Sequence, residues 1–177
     1  MYENVIVNAV PRRELDRFLA PAGGPSPAIQ AGIVIHDKDE LVPDHVEGNI
    51  LHVSFDDEEE PGWGVPIEPA QAEAVMGFAA DGASLARDGS LDSLDIVVSC
   101  KGGVSRSAAV AMAIYLMLFG AERAKSRWLL SGNYLPNRHV FETCVAAEPE
   151  LAGAYDPSEW DTAFADGARA RLAKAMG

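Results

Sequence analysis

Short β-branched runs alternate along this chain with stretches whose apolar residues recur at helical spacing. Residues 4–10, 31–36, 49–55 and 94–99 are rich in Val, Ile and Leu and predict four strands. Residues 70–87 carry Ala74, Val75, Phe78 and Ala79 on one helical face. Residues 107–119 are apolar nearly all round, which predicts a buried helix, and Gly120 suits its C-terminal stop. Further helices are predicted over 11–19, opened by Pro11, and over 121–130, 137–147 and 166–176. Prolines and glycines mark loops at 21–27 and at 56–69, the second one strongly acidic. Strands separated by crossover helices predict an α/β fold, with a central mixed, mainly parallel sheet flanked by helices. One domain is expected over residues 1–148, with 149–177 as an appended helical extension.

Composition narrows the function classes. The chain has 177 residues, nearly half of them apolar, which suits one well-packed domain. A net charge of −13 argues against nucleic acid or an anionic membrane surface as partner. The first residues lack the charged and apolar regions of a signal peptide, and the most apolar run, 108–119, is too short to span a bilayer. The two cysteines, Cys100 and Cys144, are expected to stay reduced in a cytoplasmic protein. Cys144 reads as a core residue, with a resolving thiol for oxidised Cys100 as the alternative. The four histidines, at 36, 45, 52 and 139, show no metal-ligand spacing. No metal site is expected.

The chemistry concentrates in Ser99-Cys100-Lys101-Gly102-Gly103-Val104-Ser105-Arg106-Ser107, which lies between a predicted strand and the buried helix. Successive N–H groups in such a loop converge on one anion, and the helix N-terminus adds its dipole. The same field favours a thiolate at the first loop residue. Arg106 offers a planar fork that matches two phosphate oxygens. Glycine in the loop interior lets the backbone approach a ligand closely.

This segment resembles the C-x5-R-S/T loop of the cysteine-dependent protein tyrosine phosphatases, above all the small dual-specificity branch with its bacterial and phage relatives. The likeness extends over about residues 48–145. It implies Cys100 as nucleophile, Arg106 as phosphate-binding arginine and Ser107 as the hydroxyl that eases thiolate departure. Lys101, Gly102, Gly103, Val104 and Ser105 then complete the phosphate-binding loop. Family members usually carry His before the cysteine. Ser99 stands there instead, able to donate one hydrogen bond and expected to tune the thiol less strongly.

Cleavage also needs an acid to protonate the leaving oxygen. The acidic cluster after the third strand, Phe55-Asp56-Asp57-Glu58-Glu59-Glu60, is the upstream candidate. The Phe-x-Asp pattern of bacterial relatives implies Asp57, with Asp56 as second choice. Asp156-Pro157 is a rival by analogy with the low-molecular-weight tyrosine phosphatases, although their cysteine lies near the N-terminus. The Pro136-Asn137 pair resembles a family segment that braces the loop, so Asn137 is expected to support the loop, to cap its own helix, or both. Trp63 is a candidate for stacking on an aryl substrate or for plain packing; Trp128 and Trp160 read as core.

The resemblance thus implies a phosphatase that works through a phosphocysteine, without metal or organic cofactor, on phosphotyrosine or phosphoserine/threonine in proteins. Three alternatives stay open: a phosphatase for an inositol phosphate or another non-protein ester, suggested by Lys101; a non-catalytic phosphate-binding module, permitted by Ser99; and a rhodanese-like sulfur transferase. The sequence offers no sign of oligomeric state.

Overall fold

A computed structural model describes residues 2–19, 29–40, 45–47, 49–58 and 64–176. Five strands form one sheet: β1 (Val5–Pro11), β2 (Ile29–His36), β3 (His45–Glu47), β4 (Ile50–Ser54) and β5 (Leu94–Cys100). Their order is β1-β5-β2-β4-β3. The first four in that order are parallel, and β3 closes the edge antiparallel to β4. The expected mixed, mainly parallel sheet is what forms.

Alternation along the strands separates two faces. Val5, Val7 and Ala9 of β1, Ile33 and Ile35 of β2, Leu51 and Val53 of β4, and Leu94, Ile96, Val98 and Cys100 of β5 enter the main core. Helices α2 (Pro69–Arg87), α3 (Arg106–Phe119) and α5 (Arg138–Ala147) supply the rest of it. Ala108, Ala109, Ala111 and Ala113 let α3 lie close to the sheet, and all four are fully buried. On the other face Val10, Val34 and Val97 pack with Leu15 of the short helix α1 (Leu15–Leu19). β5 is therefore covered on both faces, as expected of a central parallel strand.

Three local expectations are corrected. Pro11 does not open a helix; it ends β1, and a 3-10 turn (Arg12–Glu14) precedes α1. β1 lies at the sheet edge, where a residue without an N–H is tolerated. The helix expected over 121–130 is α4 (Ala121–Ala124) followed by a wider turn over Lys125–Leu129, in which the Leu130 N–H reaches the Lys125 carbonyl at 3.0 Å. The C-terminal helix is longer than its polar half suggested. Helix α6 (Pro149–Ala154) and α7 (Pro157–Met176) follow α5, and Trp160 of α7 is buried against Phe141 of α5 with ring centroids 4.8 Å apart. Among the described residues no helix is long and apolar enough to cross a membrane.

Candidate active site at the carboxyl ends of three strands

The carboxyl ends of β2, β4 and β5 meet the N-terminus of α3, the edge at which open parallel sheets place their ligands. Cys100 ends β5 and is only 3% exposed. Its Sγ accepts the Gly103 N–H at 3.3 Å and lies 3.2 Å from Ser107 Oγ. Gly103 has φ +73°, and a Cβ there would stand 2.2 Å from the Pro11 nitrogen. The end of β1 thus presses on the loop, and only glycine fits. Gly103→Ala is expected to lower stability by about 2–5 kcal/mol, the sum of left-handed strain and overpacking. The displaced loop is expected to lower turnover about 10²-fold, as small misplacements of reacting groups do. A thermal melt and a steady-state assay check the two effects.

Ser105 precedes α3 in the capping position, yet its side chain caps nothing. Its Oγ instead donates to Asp57 Oδ1 at 2.7 Å. The first N–H groups of α3 are therefore left without a side-chain acceptor, as an anion-binding helix terminus requires. Asn137 Nδ2 donates to the same Asp57 oxygen at 2.9 Å and to the Glu58 carbonyl at 3.2 Å. Asn137 Oδ1 meanwhile caps α5 by accepting the Val140 N–H at 3.0 Å. One buried asparagine so caps its own helix and reaches the acidic segment after β4, with no hydrogen bond to the loop 100–106 itself among the described residues. Both of these hydrogen bonds to the Asp57 carboxyl converge on Oδ1.

Asp56 points elsewhere. Its carboxylate accepts the backbone N–H of Lys38 at 3.0 Å and of Val65 at 2.8 Å. These two bonds outweigh its partial burial and hold its carboxyl below the ordinary value of 3.8. Asp156 caps α7 through Ser158, whose hydroxyl and N–H both reach it, and this likewise lowers its carboxyl.

Arg106, the first residue of α3, is almost wholly buried. Nη1 donates to the Phe55 carbonyl at 2.7 Å and to the His36 carbonyl at 3.4 Å; Nη2 donates to Asp37 Oδ1 at 2.5 Å. Nε is buried without a partner. A buried guanidinium N–H beside this loop is a donor available to an oxyanion. The sequence reading missed Asp37. A polar residue directly after a parallel strand was the available signal, and only the order of the strands says which such residue faces the arginine.

The remaining expected residues divide. Lys101 is exposed and pairs with Asp37 Oδ2 at 3.5 Å. Gly102 and Val104 are exposed, and the Val104 carbonyl accepts the Leu135 N–H at 2.9 Å, tying the loop to the segment before α5. Ser99 does not donate the expected hydrogen bond to the thiol. Residues 99 and 100 project from opposite faces of β5, and the buried Ser99 Oγ has no partner among the described residues. Cys144 is a core residue whose thiol burial pushes up to about 12, so it stays protonated and poorly suited to resolve an oxidised partner. His139 lies half-buried on α5, and its carbonyl accepts the Thr143 hydroxyl. Trp63 lies outside the described residues.

Beside the loop opens a cleft of about 620 Å³ lined by Asp37, Asp39, Asp56, Asp57 and Glu58, with Lys38 as its one cation among the described residues. Behind it His36 and His52 stack with ring nitrogens 2.9 Å apart, and Glu40 bonds both His36 and Arg12.

No protein-family model matches this chain, and no curated protein sequence matches it significantly. Solved structures do. The crystal structure of PTPMT1 in complex with PI(5)P aligns over 84% of this chain and 94% of its own, with TM-score 0.51 and 15% identity. A mouse putative dual specificity phosphatase complexed with zinc tungstate aligns over 72% of this chain and 74% of its own, with TM-score 0.41 and 24% identity. The sheet and its helices thus share the fold of the PTPMT1 structure.

Proposed function

We propose that this protein hydrolyses phosphomonoesters through a phosphocysteine and acts on phosphotyrosine in proteins. The observation that carries the reading is the anchoring of Asp57 on Ser105 and Asn137. It sets a carboxyl beside the loop that holds Cys100 and Arg106. In the first step the Cys100 thiolate attacks phosphorus, the P–O bond to the leaving group breaks, and Asp57 gives its proton to the departing oxygen. The loop N–H groups and Arg106, through its unpartnered Nε, hold the equatorial oxygens. In the second step Asp57, now a carboxylate, takes a proton from water as that water attacks phosphorus. The P–S bond breaks, and Ser107 donates to the leaving sulfur. Residues 1–148 carry this chemistry; α6 and α7 brace the body through Trp160.

The acidic cleft supports a protein substrate, because cationic side chains flanking the phosphorylated residue would be attracted there. One observation favours a second reading. Lys101, exposed at the rim directly after the nucleophile, suits a multiply charged ester, such as the phosphoinositide in the PTPMT1 complex.

The test is hydrolysis of p-nitrophenyl phosphate in the presence of a chelator, with acid-quenched enzyme analysed by mass spectrometry. Turnover and a phosphoryl group on Cys100 are expected. Loss of activity on chelation, or a phosphoryl group on another residue, sinks the proposal. Phosphotyrosyl peptides with flanking lysines are expected to be better substrates than phosphatidylinositol 5-phosphate; the reverse order assigns the protein to the second reading.

A further inference from the structure

We propose that a second anion site lies away from the Cys100 loop, where Arg123 and Arg127 hold the phosphate of a phosphorylated protein segment. The inference stands apart from the phosphatase reading.

An open cleft of about 580 Å³ is lined by Tyr115 of α3, Glu122 and Arg123 of α4, and Ser126 and Arg127 of the wide turn that follows. Tyr115 stands about 14 Å from Arg106 along the axis of α3. Val7, which Arg127 touches, lies about 13 Å along β1 from Pro11, the residue paired with Cys100. The cleft is therefore separate from the candidate active site.

Arg127 is held in place. Its Nη2 donates to the Val7 carbonyl and to Asn8 Oδ1, both at 3.2 Å, on the edge strand β1. The guanidinium also lies over the rings of Tyr115 and Trp128, 5.6 and 5.4 Å from their centroids. These hydrogen bonds use Nη2 alone, so Nε and Nη1 remain as donors for a ligand. Arg123 stands one turn earlier on the same face and is exposed. Its neighbour Glu122 turns to Lys125 instead, at 3.6 Å.

Two like charges four residues apart repel each other. They do so here in a chain with 27 acids against 14 bases. An oxyanion placed between the two guanidiniums relieves that repulsion. The backbone gives a second, independent sign. The turn Lys125–Leu129 is wound wider than an α-helix, a rare geometry that occurs mostly at functional sites, and it carries Ser126 and Arg127 to the cleft.

The donors select the ligand. Two guanidinium groups, with the hydroxyls of Ser126 and Tyr115, match a dianion with three oxygens better than a carboxylate with two. Arginine clusters receive phosphorylated residues in this way. The net charge of −13 repels an anionic bilayer, so the phosphate arrives on a protein segment.

The experiment follows amide NMR shifts of the full chain carrying Cys100→Ser, so that the ligand is not consumed. The probe is a phosphoserine peptide of otherwise uncharged sequence. Saturable shifts are expected in residues 122–128. Adding Arg123→Ala is expected to raise the Kd about tenfold or more, the loss of one charge-assisted bond. Arg127→Lys, which keeps the charge and loses the fork, is expected to raise it about threefold to tenfold. Thermal melts confirm folding. Alone, Arg123→Ala is expected to leave turnover of p-nitrophenyl phosphate within about twofold of wild type, because the cleft is remote from Cys100. Shifts confined to residues 100–107, or a Kd that Arg123→Ala leaves unchanged, overturn the proposal. So does equal binding of a peptide with glutamate in place of phosphoserine, which assigns the cleft to acidic segments. Shifts at 122–128 with phosphatidylserine vesicles and none with the peptide overturn it in favour of a membrane. A chain that binds the peptide at 122–128 but whose wild type hydrolyses no ester supports this site and overturns the phosphatase reading alone.

Discussion

Cys100→Ser is expected to lower hydrolysis of p-nitrophenyl phosphate by about 10⁴-fold or more, the scale on which losing a covalent nucleophile acts. The substitution keeps the shape of the site. Oxygen for sulfur leaves an acceptor for the Gly103 N–H and a neighbour for Ser107 Oγ. What is lost is the sulfur nucleophile of the proposed mechanism. An alkoxide needs a base beside it to form near neutral pH, and the groups touching Cys100 Sγ are an amide and a hydroxyl. Arg106 and the free N–H groups at the start of α3 are untouched, so orthovanadate is expected to bind the variant within a few-fold of wild type. A stopped assay and a binding isotherm on the same preparation check both halves. Residual turnover above one-hundredth of wild type would remove Cys100 from the covalent step.

Asp57→Ala is expected to reduce kcat by about 10²–10⁴-fold on esters with poor leaving groups, the usual contribution of a positioned general acid. The deficit should shrink for p-nitrophenyl phosphate, whose leaving group departs without a proton. That difference between substrates separates an acid from a merely structural carboxylate. Asp56→Ala is expected to act on stability instead. It frees the N–H groups of Lys38 and Val65 and costs about 1–3 kcal/mol, with kcat changed less than tenfold. The pH dependence has a definite sign. The Asp56 carboxyl is lowered in the folded state, so its contribution is complete above its ordinary value of 3.8 and is lost as pH falls through the lower folded value. The same shift favours the ionised form of Asp56, which has no proton to donate. Equal losses for the two variants on all substrates would contradict this division of labour.

The residue before Cys100 bears on how the loop is held. Ser99 lies on the opposite face of β5, and its Oγ has no partner among the described residues. Order in the loop comes from elsewhere: the end of β1 pressing on Gly103, the Leu135 N–H on the Val104 carbonyl, and Asp37 across Lys101 and Arg106.

Much of this was legible in the residues themselves. The β-branched runs at 31–36 and 94–99 could only be buried strands, and the apolar sweep after Arg106 could only be a buried helix, because local periodicity and burial there agree. Cys100, Gly103, Arg106 and Ser107 sit within eight consecutive positions, so strand, turn and helix bring them together without help from the rest of the chain. Pro11 misled because proline opens helices and ends edge strands alike, and only the place of β1 at the sheet edge distinguishes the two. The three residues of β3 are too few to show a period. Strand order decided the remainder. It set the end of β2 beside the end of β5, and so gave Arg106 its carboxylate in Asp37. It aimed Asp57 at Ser105 while Asp56 turned back onto Lys38 and Val65, and it let Asn137 reach across from α5. Side chains on consecutive residues of an extended segment point in opposite directions, so which of two adjacent aspartates meets the loop is fixed by how that segment lies on the sheet, which no local pattern encodes.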